Sequence, residues 1–321
     1  LGWYRSNGSE NVVQASYRAA ASSSWGSPAT VSAPGQAAGD VQLAASAAGK
    51  AVLVWTRPSG GLQRIQSSVW LSASSSWSGP DTISSGTGDA RLPRVAVDDA
   101  GNATAVWVES LSGVEVAEAA RRSVASATWD TPAVLSNVSV PAQYPRIAMS
   151  PAGDAHAVWY RFNGVNMVVE TASRALGALG WGTVAVVSPL GSNSALAGIA
   201  VDGRGNTTAV WRRFTTDFIV EASRLPGDAP TVSVAPSLAG TPKVGRLLAC
   251  RKGTWSGTAT ITYSYRWQRK VGATYRYISG ATVYRYRLAR ADAGHAVRCR
   301  VIATNGQGAV TRFTAPLRVP A

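Results

Sequence analysis

The sequence predicts an all-β protein in which a partial β-propeller is followed by a β-sandwich. Three observations support this fold class: tryptophans that recur every 52 residues, short apolar runs separated by turn signals, and two cysteines with a tryptophan between them near the C-terminus. With 45% apolar and 15% charged residues, the composition is typical of a globular chain and excludes a disordered one.

The repeat is visible in two series of tryptophans. Nine of the twelve tryptophans belong to them, which chance does not produce. Glycines keep the same step, so the chain is built from one repeated supersecondary unit. The first series is Trp3, Trp55, Trp107, Trp159 and Trp211; the second is Trp25, Trp77, Trp129 and Trp181; the glycines are Gly49, Gly101, Gly153 and Gly205.

Each unit contains four predicted strands. In one unit the first covers 92–97 and ends in a hairpin loop in which Gly101 takes a left-handed conformation. The second covers 103–108, and the third, 114–119, follows a Gly-containing turn that reads Asn163-Gly164 in the next unit. The fourth strand is predicted to contain the second-series tryptophan and the proline three residues after it.

Four short antiparallel strands in about 50 residues are typical of a propeller blade. One blade cannot bury both of its faces, so blades stack radially, and the tryptophans are expected to fill the gaps between them. We assign residues 1–226 to this domain, with three complete blades between about residues 39 and 188 and two partial ones. Because the sequence begins inside a repeat and without Met, we expect further blades upstream that close the ring. The alternative, an open stack of sheets, is disfavoured because it would expose the edges of its strands.

Charge marks the boundary between two domains. Residues 1–228 hold 16 basic and 16 acidic side chains, whereas residues 229–321 hold 15 basic side chains and the single acid Asp292. The Pro- and Gly-containing segment 225–230 is the predicted linker. We therefore assign residues 230–321 to a second, strongly basic domain.

The second domain carries Cys250 and Cys299 with Trp267 between them. Together with Tyr286 and Asp292-Ala293-Gly294, this pattern indicates an immunoglobulin-like (Ig-like) β-sandwich. The motifs Gly253–Gly257, Tyr265–Arg269, Ile278–Thr282 and Cys299–Asn305 resemble the Ig-like repeats of secreted and surface proteins from actinobacteria.

That resemblance implies a spacer or adhesion module without catalytic residues. Lys270 departs from it, because many relatives carry a further cysteine there. The 52-residue repeats resemble, less specifically, the propeller repeats of similar secreted proteins. We expect a disulfide between Cys250 and Cys299, which indicates a secreted or cell-surface protein.

No catalytic motif is present. His156 and His295 are the only histidines, which excludes a His-rich metal site, and no Ser–His–Asp set can be assembled. Asp98 and Asp202 are interpreted as turn residues, and the repeated arginines and Glu/Gln residues as blade-supporting pairs. Glu109 and His156 depart from the residues found at the same place in the other repeats. Such irregular positions are where we expect a function, if the first domain has one. No cofactor and no metal site are expected.

Basic residues alternate with tyrosines in the second domain, and alternation along a strand separates them onto two faces. One face is then core and the other a cationic sheet for an anionic polymer, or simply a solvated surface. The predicted ligand-binding residues are Arg266, Lys270, Arg276, Arg285 and Arg287.

The leading hypothesis is a non-catalytic extracellular binding or adhesion protein. Its propeller is a platform for a ligand or partner, and its basic domain is a spacer or an anchor to an anionic polymer. The expected partner is an anionic cell-wall polymer or polysaccharide; a protein partner is a further option, nucleic acid is disfavoured, and no apolar run reaches the roughly 20 residues of a membrane helix. The alternative is a secreted carbohydrate-active enzyme, a glycosidase or lyase, with its active site in the propeller.

Overall fold

The computed structural model of the protein describes residues 1–19, 22–71, 74–86, 88–225, 227, 229–257, 261–305 and 307–321. Pro226 and Asp228 of the predicted linker, and Thr260 at the start of a predicted strand, lie outside these ranges. The chain divides into two compact units, Leu1–Leu225 and Pro226–Ala321.

The first unit consists of successive antiparallel sheets with one chain order. The first sheet contains β1 (Gly2–Ser6), β2 (Asn11–Ala15) and β3 (Ala29–Thr30). The second contains β4 (Gly39–Ala45), β5 (Ala51–Ser59) and β6 (Leu62–Leu71), with β7 (Ser76–Trp77) and β8 (Asp81–Thr82) both paired to β6.

The next two sheets repeat this plan in full, and the last contains three strands. The third sheet contains β9 (Ala90–Val97), β10 (Ala103–Leu111), β11 (Val114–Arg122) and β12 (Ala133–Val134). The fourth contains β13 (Ala142–Met149), β14 (Ala155–Phe162), β15 (Met167–Arg174) and β16 (Ala185–Val186). The fifth contains β17 (Ser194–Val201), β18 (Thr207–Phe214) and β19 (Phe218–Leu225).

This arrangement confirms the predicted all-β class and the repeated four-stranded, propeller-like sheets. The first strands of neighbouring sheets, β4, β9, β13 and β17, pack against one another in chain order. By its place in the repeat, the first sheet begins at the second strand and the fifth ends at the third strand.

The fourth strand is shorter than predicted and lies later in the chain. In the second sheet Trp77 does lie in a two-residue strand, β7, but in the third sheet β12 begins at Ala133, four residues after Trp129. Trp129 itself makes only an isolated bridge to Arg122. The indole is directed into the space between sheets, so the segment around it follows the packing of the ring and joins the ladder only after the turn.

The first-series tryptophans fill the space between neighbouring sheets, which confirms that prediction. Trp55, Trp107 and Trp159 are fully buried. Trp107 belongs to one cluster with Val54 and Ile65 of the sheet before it. Burying large rings between sheets is the main apolar contribution to the cohesion of the array.

Each first strand carries a β-bulge that the sequence did not predict. The register against the second strand shifts at equivalent places in four sheets, for example between Gln143 and Arg146. One non-glycine residue at each shift has a positive φ, which costs about 1–2 kcal/mol relative to ordinary strand backbone. These residues are Asp40, Leu92, Tyr144 and Leu196, with φ of 47°, 55°, 50° and 53°.

The described residues of the second unit form ten strands and one short 3₁₀ helix. In chain order they are β20 (Thr231–Val234), β21 (Ser237–Ala239), β22 (Leu247–Arg251), β23 (Thr254–Ser256), β24 (Thr262–Val271), β25 (Thr274–Tyr277), β26 (Arg285–Arg287), the 3₁₀ helix Arg290–Asp292, β27 (Ala296–Asn305), β28 (Gly308–Phe313) and β29 (Leu317–Arg318).

These strands form two main sheets, one ordered β21-β22-β26 and one ordered β25-β24-β27-β28 with β29 also paired to β27. The predicted disulfide is present: it joins Cys250 on β22 to Cys299 on β27 and so connects the two sheets. Trp267 is fully buried in the same core. The unit is a β-sandwich, and its immunoglobulin-like identity stays a prediction from the motifs.

Candidate functional site

The five predicted ligand-binding residues are all exposed, but they do not share one face. Arg266 and Lys270 alternate with the buried Trp267 and lie on the outer face of the larger sheet. Arg285 and Arg287 flank Tyr286 on β26 and belong to the other sheet. Arg276 lies opposite Arg269 on β25, on the face opposite to that of Arg266. Whether these residues bind a ligand stays a prediction.

The outer face of the larger sheet combines three arginines with three aromatic rings. Strand pairing sets Arg266 opposite Arg300 and Gln268 opposite Arg298. The neighbouring strands add their rings to the same face by the same alternation. We call this set the cationic face: Arg266, Arg298, Arg300, Tyr275, Tyr277 and Phe313.

Each guanidinium of the cationic face contacts an aromatic side chain. Arg266 lies 4.3 Å from the centroid of the Tyr277 ring, and Arg300 donates from Nη1 to the Tyr277 hydroxyl at 2.8 Å. Arg298 lies 3.8 Å from the Tyr275 ring and 4.2 Å from the Phe313 ring. Such contacts contribute about 0.5–1 kcal/mol each at exposed sites and hold the long side chains in place.

Side-chain hydrogen bonds fix two of these arginines further. Arg298 donates from Nε to Gln268 Oε1 at 2.8 Å, and Arg300 donates from Nη2 to Thr311 Oγ1 at 3.2 Å. A guanidinium carries five N–H donors, so most of them stay available on each arginine. The arrangement presents planar cations with donors that match carboxylate, sulfate or phosphate oxygens.

The only acidic residue of residues 229–321, Asp292, lies inside the sandwich, where its carboxylate is hydrogen-bonded. Asp292 is fully buried and accepts hydrogen bonds from Arg269 Nε at 2.6 Å and from the Tyr286 hydroxyl at 2.8 Å. Arg269 is therefore a partner of a buried carboxylate and not a member of the cationic face. In the described part of this unit no carboxylate side chain lies on the cationic face.

In the first unit, two of the repeated arginines, Arg161 and Arg213, form the predicted ion pairs within their sheets, whereas Arg57 donates to the Pro34 carbonyl at 2.8 Å. The Trp159 indole donates to Glu170 Oε2 at 3.0 Å, and Arg161 pairs with Glu170 Oε1 at 2.7 Å. Trp211, Glu221 and Arg213 repeat the arrangement in the fifth sheet. The carboxylate thus satisfies a buried indole N–H while its own charge is balanced by an arginine.

Glu109 replaces that arginine in the third sheet and brings two carboxyl groups together. Glu109 is fully buried, and it accepts the Trp107 indole hydrogen bond at 3.0 Å. Burial raises the pKa of Glu109, but hydrogen bonds with Ser85, Trp107, Glu118 and the Gly88 backbone bring that pKa below its usual value. Burial, then the charge of Glu109, raise the pKa of Glu118 to about 8. One of the two carboxyls is therefore protonated at neutral pH.

This pair predicts a pH-dependent stability of the first unit. A carboxyl whose pKa is raised by folding stabilises most below its unfolded pKa, and the contribution is lost as pH rises through about 8. We expect the melting temperature of the first unit to fall by a few °C between pH 6 and pH 9. Glu118→Gln should remove most of that fall, as measured by calorimetry across this pH range.

Glu170→Gln in the fourth sheet is the matched control for Glu118→Gln. Because Glu170 is balanced by Arg161, the control substitution should destabilise at pH 6 and pH 9 alike. Equal behaviour of the two variants would contradict the shared-proton interpretation.

His156, the other irregular residue, does not join Glu109. It lies on β14, with Nδ1 2.8 Å from Ser173 Oγ, and lines a pocket between the fourth and fifth sheets. Glu109 bonds to groups of the second and third sheets instead. The structure thus does not bring the two irregular residues into one site.

Two of the bulged first strands carry a pair of basic residues that the sequence pattern did not indicate. Arg94 and Arg146 occupy equivalent positions on β9 and β13, and each donates to the carbonyl of its preceding proline. Burial, and then the charge of Arg146, lower the pKa of Arg94, while Asp40 opposes the shift. Neither arginine forms an ion pair within the described residues.

The aspartates of the hairpin loops bond to their own turns, in agreement with the turn interpretation. Asp98 Oδ1 accepts the backbone N–H groups of Gly101 and Asn102, both at 2.8 Å. Asp202 makes the same bond to Asn206 at 2.9 Å. Over the described ranges, His, Cys, Asp and Glu form no group of three that could hold a metal ion.

No protein-family model matches the sequence, and no curated protein matches it. Among solved structures, a protein of unknown function from Dyadobacter fermentans is 12% identical, with 88% of this chain and 94% of that chain covered and a TM-score of 0.42. An α-L-arabinofuranosidase from Fusarium graminearum is 9% identical, with 87% and 92% covered and a TM-score of 0.40. An endo-arabinase from Bacteroides thetaiotaomicron is 14% identical, with 55% and 71% covered and a TM-score of 0.36.

Carbohydrate-active enzymes are thus frequent among the similar structures, and a polysaccharide lyase is another. At TM-scores in this range the likeness carries no argument about ligand or activity. Where the structure describes the chain, it contains no helix with the length and hydropathy to cross a lipid bilayer.

Proposed function

We propose that the second unit binds an anionic polysaccharide through the cationic face, and that the protein is a non-catalytic extracellular binding protein. The observation that carries the proposal is the set of three arginines fixed on aromatic rings, on a face without a carboxylate. Lys270, exposed on the same face, extends the positive charge.

Fixed guanidinium groups favour binding because little side-chain freedom is lost on association. An immobilised long side chain costs about 0.5–1.5 kcal/mol, and the ring contacts remove part of that cost beforehand. The rings themselves are covered by guanidinium groups, so direct stacking of neutral sugar rings is disfavoured. Carboxylate or sulfate groups of an acidic glycan fit the available N–H donors.

The disulfide supports the extracellular part of the proposal, since such bonds persist in oxidising compartments. The first unit, in this proposal, is a rigid platform that presents a surface to a ligand or partner.

Substitution of the cationic face is expected to weaken binding to an acidic glycan. With heparin as the probe, the full chain should bind at 50 mM salt and lose at least about tenfold in affinity by 500 mM, because salt screens the charges. Arg266→Gln, Arg298→Gln and Arg300→Gln combined should cost about tenfold at low salt, as measured by isothermal titration calorimetry.

Arg285→Gln with Arg287→Gln is the matched control, because these exposed arginines lie on the other sheet. It should change the affinity less than about threefold beyond its effect on net charge. Affinity independent of salt, or an equal loss per charge in both variants, would contradict a specific face. Neutral dextran should not bind.

Carbohydrate cleavage by the first unit is the second candidate function. The observation in its favour is the half-buried pair Arg94 and Arg146 beside Asp40, a polar surface suited to an acidic sugar. Glu109 and Glu118 do not serve it, because both carboxyl groups are buried in the sheet packing and do not face a surface that a polysaccharide could reach.

Incubation with acidic and neutral polysaccharides, followed by detection of new reducing ends and unsaturated products, tests this candidate. Turnover that Arg94→Ala with Arg146→Ala abolishes would support it. Absence of product from a polysaccharide that binds tightly would reject it.

A further inference from the structure

A pocket of about 260 Å³ lies between the fourth and fifth sheets. Its walls come from the second and third strands of the fourth sheet and from all three strands of the fifth. It also borders the segment that follows Trp181. The residues that decide its character are His156, Ser173, Ile199, Thr207, Ala209 and Ser223.

The equivalent place between the second and third sheets is filled by an indole. Trp129 packs there against one buried cluster that contains residues of both sheets and against a second that contains Trp107. Trp77 and Trp181 pack in the same way one sheet before and one sheet after. Six of the residues that belong to these two clusters or, like Trp129, pack against them are Val52, Val69, Val95, Ala103, Ala105 and Ala120.

Every one of these six residues has its counterpart in the pocket. Two repeats further along the chain, Val52 corresponds to His156, Val69 to Ser173 and Ala103 to Thr207. By the same step Val95 corresponds to Ile199 and Ala105 to Ala209. Strand pairing sets Ala120 opposite Ala105, and Ser223 opposite Ala209, which completes the correspondence. The pocket is therefore the tryptophan slot of the fifth sheet.

The first unit does not supply that tryptophan. The position two repeats after Trp129 is Ser233, which belongs to β20 of the second unit. Within the described residues no strand pairs with the outer edge of β19, so the fifth sheet has three strands where the third and fourth have four. The slot and the unpaired edge lie side by side.

β19 is uncovered on its face as well as along its edge. Phe218 is 62% exposed and Val220 81%, whereas Val169 on the corresponding strand of the fourth sheet is completely buried, in one cluster with Ala209 and Trp211 of the fifth sheet. The exposed side chains of β19 therefore mark a sheet face that no further sheet of the described chain covers. The backbone N–H and C=O groups along its unpaired edge are the groups that can receive another strand.

The slot also contains a hydroxyl group ready for a partner. Thr207 is 5% exposed, and its Oγ1 has no hydrogen-bond partner among the described residues. An indole N–H is a donor and a threonine hydroxyl accepts. The polar residues that replace valine and alanine here leave the slot open to a ring that carries a hydrogen-bonding group.

We propose that this slot binds a tryptophan side chain of a partner protein, carried on an extended segment that pairs with β19 as a fourth strand. The chain shows the required pattern in its own fourth sheet, where Trp181 precedes the short strand Ala185–Val186 by four residues. The partner is thus recognised by an indole followed at that distance by a two-residue strand, whose side chains are exposed in the chain's own sheets.

A peptide with the sequence of residues 179–188, labelled with a fluorophore, tests this proposal by anisotropy against the full chain. We expect saturable binding that weakens at least about tenfold when the peptide tryptophan is replaced by alanine. Ala209→Leu, which fills the slot, should weaken binding by a similar factor, and Ala200→Leu, on an exposed position of β17, should not.

Circular dichroism and thermal melting establish that the variants are folded, and Ser223→Leu replaces Ala209→Leu if the latter does not fold. Equal binding of the tryptophan and alanine peptides, or no binding by a folded chain, would overturn the proposal. Dimerisation of the chain that Ala209→Leu abolishes in analytical ultracentrifugation would also overturn it, because the occupant would then be a second copy.

Discussion

Asp292→Ala is expected to destabilise the second unit by about 2–4 kcal/mol, because it removes a buried carboxylate that accepts three hydrogen bonds, one of them from the partly exposed Arg269. The substitution leaves Arg269 without the negative charge that it pairs with. It also removes the acceptor of the Tyr286 hydroxyl and of the Ala289 backbone N–H. Hydrogen exchange of the peptide that covers β27 measures the loss within the full chain.

Two further variants separate the charge from the hydrogen bonds of Asp292. Asp292→Asn keeps an acceptor oxygen and should cost less than alanine. Arg269→Met combined with Asp292→Ala should recover part of the loss, because the uncompensated cation is gone. A loss below about 1 kcal/mol for Asp292→Ala would show that water replaces the carboxylate without difficulty.

Removal of the disulfide is expected to cost the second unit about 4 kcal/mol. Cys250 and Cys299 are 49 residues apart, and in the chain-entropy model a loop of this size restricts the unfolded state by that amount. The double variant Cys250→Ala, Cys299→Ala, followed by denaturant unfolding, gives the value. Treatment of the unaltered protein with dithiothreitol should produce a similar decrease.

The first unit is the internal control for this measurement, since the chain has no other cysteine. Its unfolding transition should keep the same midpoint with and without reductant. A common shift of both transitions would mean that the effect is not local to the bond. A change under about 1 kcal/mol in the second unit would contradict the loop-restriction account.

The 52-residue repeat and the sandwich framework of the second unit can be predicted from the sequence. Large aromatic rings are usually buried, and glycines in turns are usually at positions that need a positive φ, so the structural role of each is easily recognised. Trp107 can be buried only between sheets, and Gly101 adopts the positive φ that the hairpin needs. The strands β12 and β16 lie later in the chain than predicted because the indole of Trp129 follows interior packing, whereas strand prediction follows local pattern. The bulges were missed because Leu92 and Tyr144 are not residues that favour a positive φ.

The candidate site was only partly predictable for a related reason. Alternation along one strand showed that Arg266 and Arg285 are exposed, but it could not show that they belong to different sheets. Arg298 and Phe313 meet through pairing between distant strands, and local sequence does not specify that contact. The vacant tryptophan slot appears only when equivalent positions in different repeats are compared in space.

The buried position of Asp292 has a consequence for the working range of the second unit. Twelve of the fifteen basic residues in residues 229–321 are arginines, which keep their protons at any physiological pH. With Asp292, the single acidic residue of residues 229–321, withdrawn into the core, this range exposes no carboxylate side chain that acidification could neutralise. Its attraction for a polyanion is then set by ionic strength and by the ionisation of the polymer, so acidification of the environment would release the protein only by neutralising its ligand.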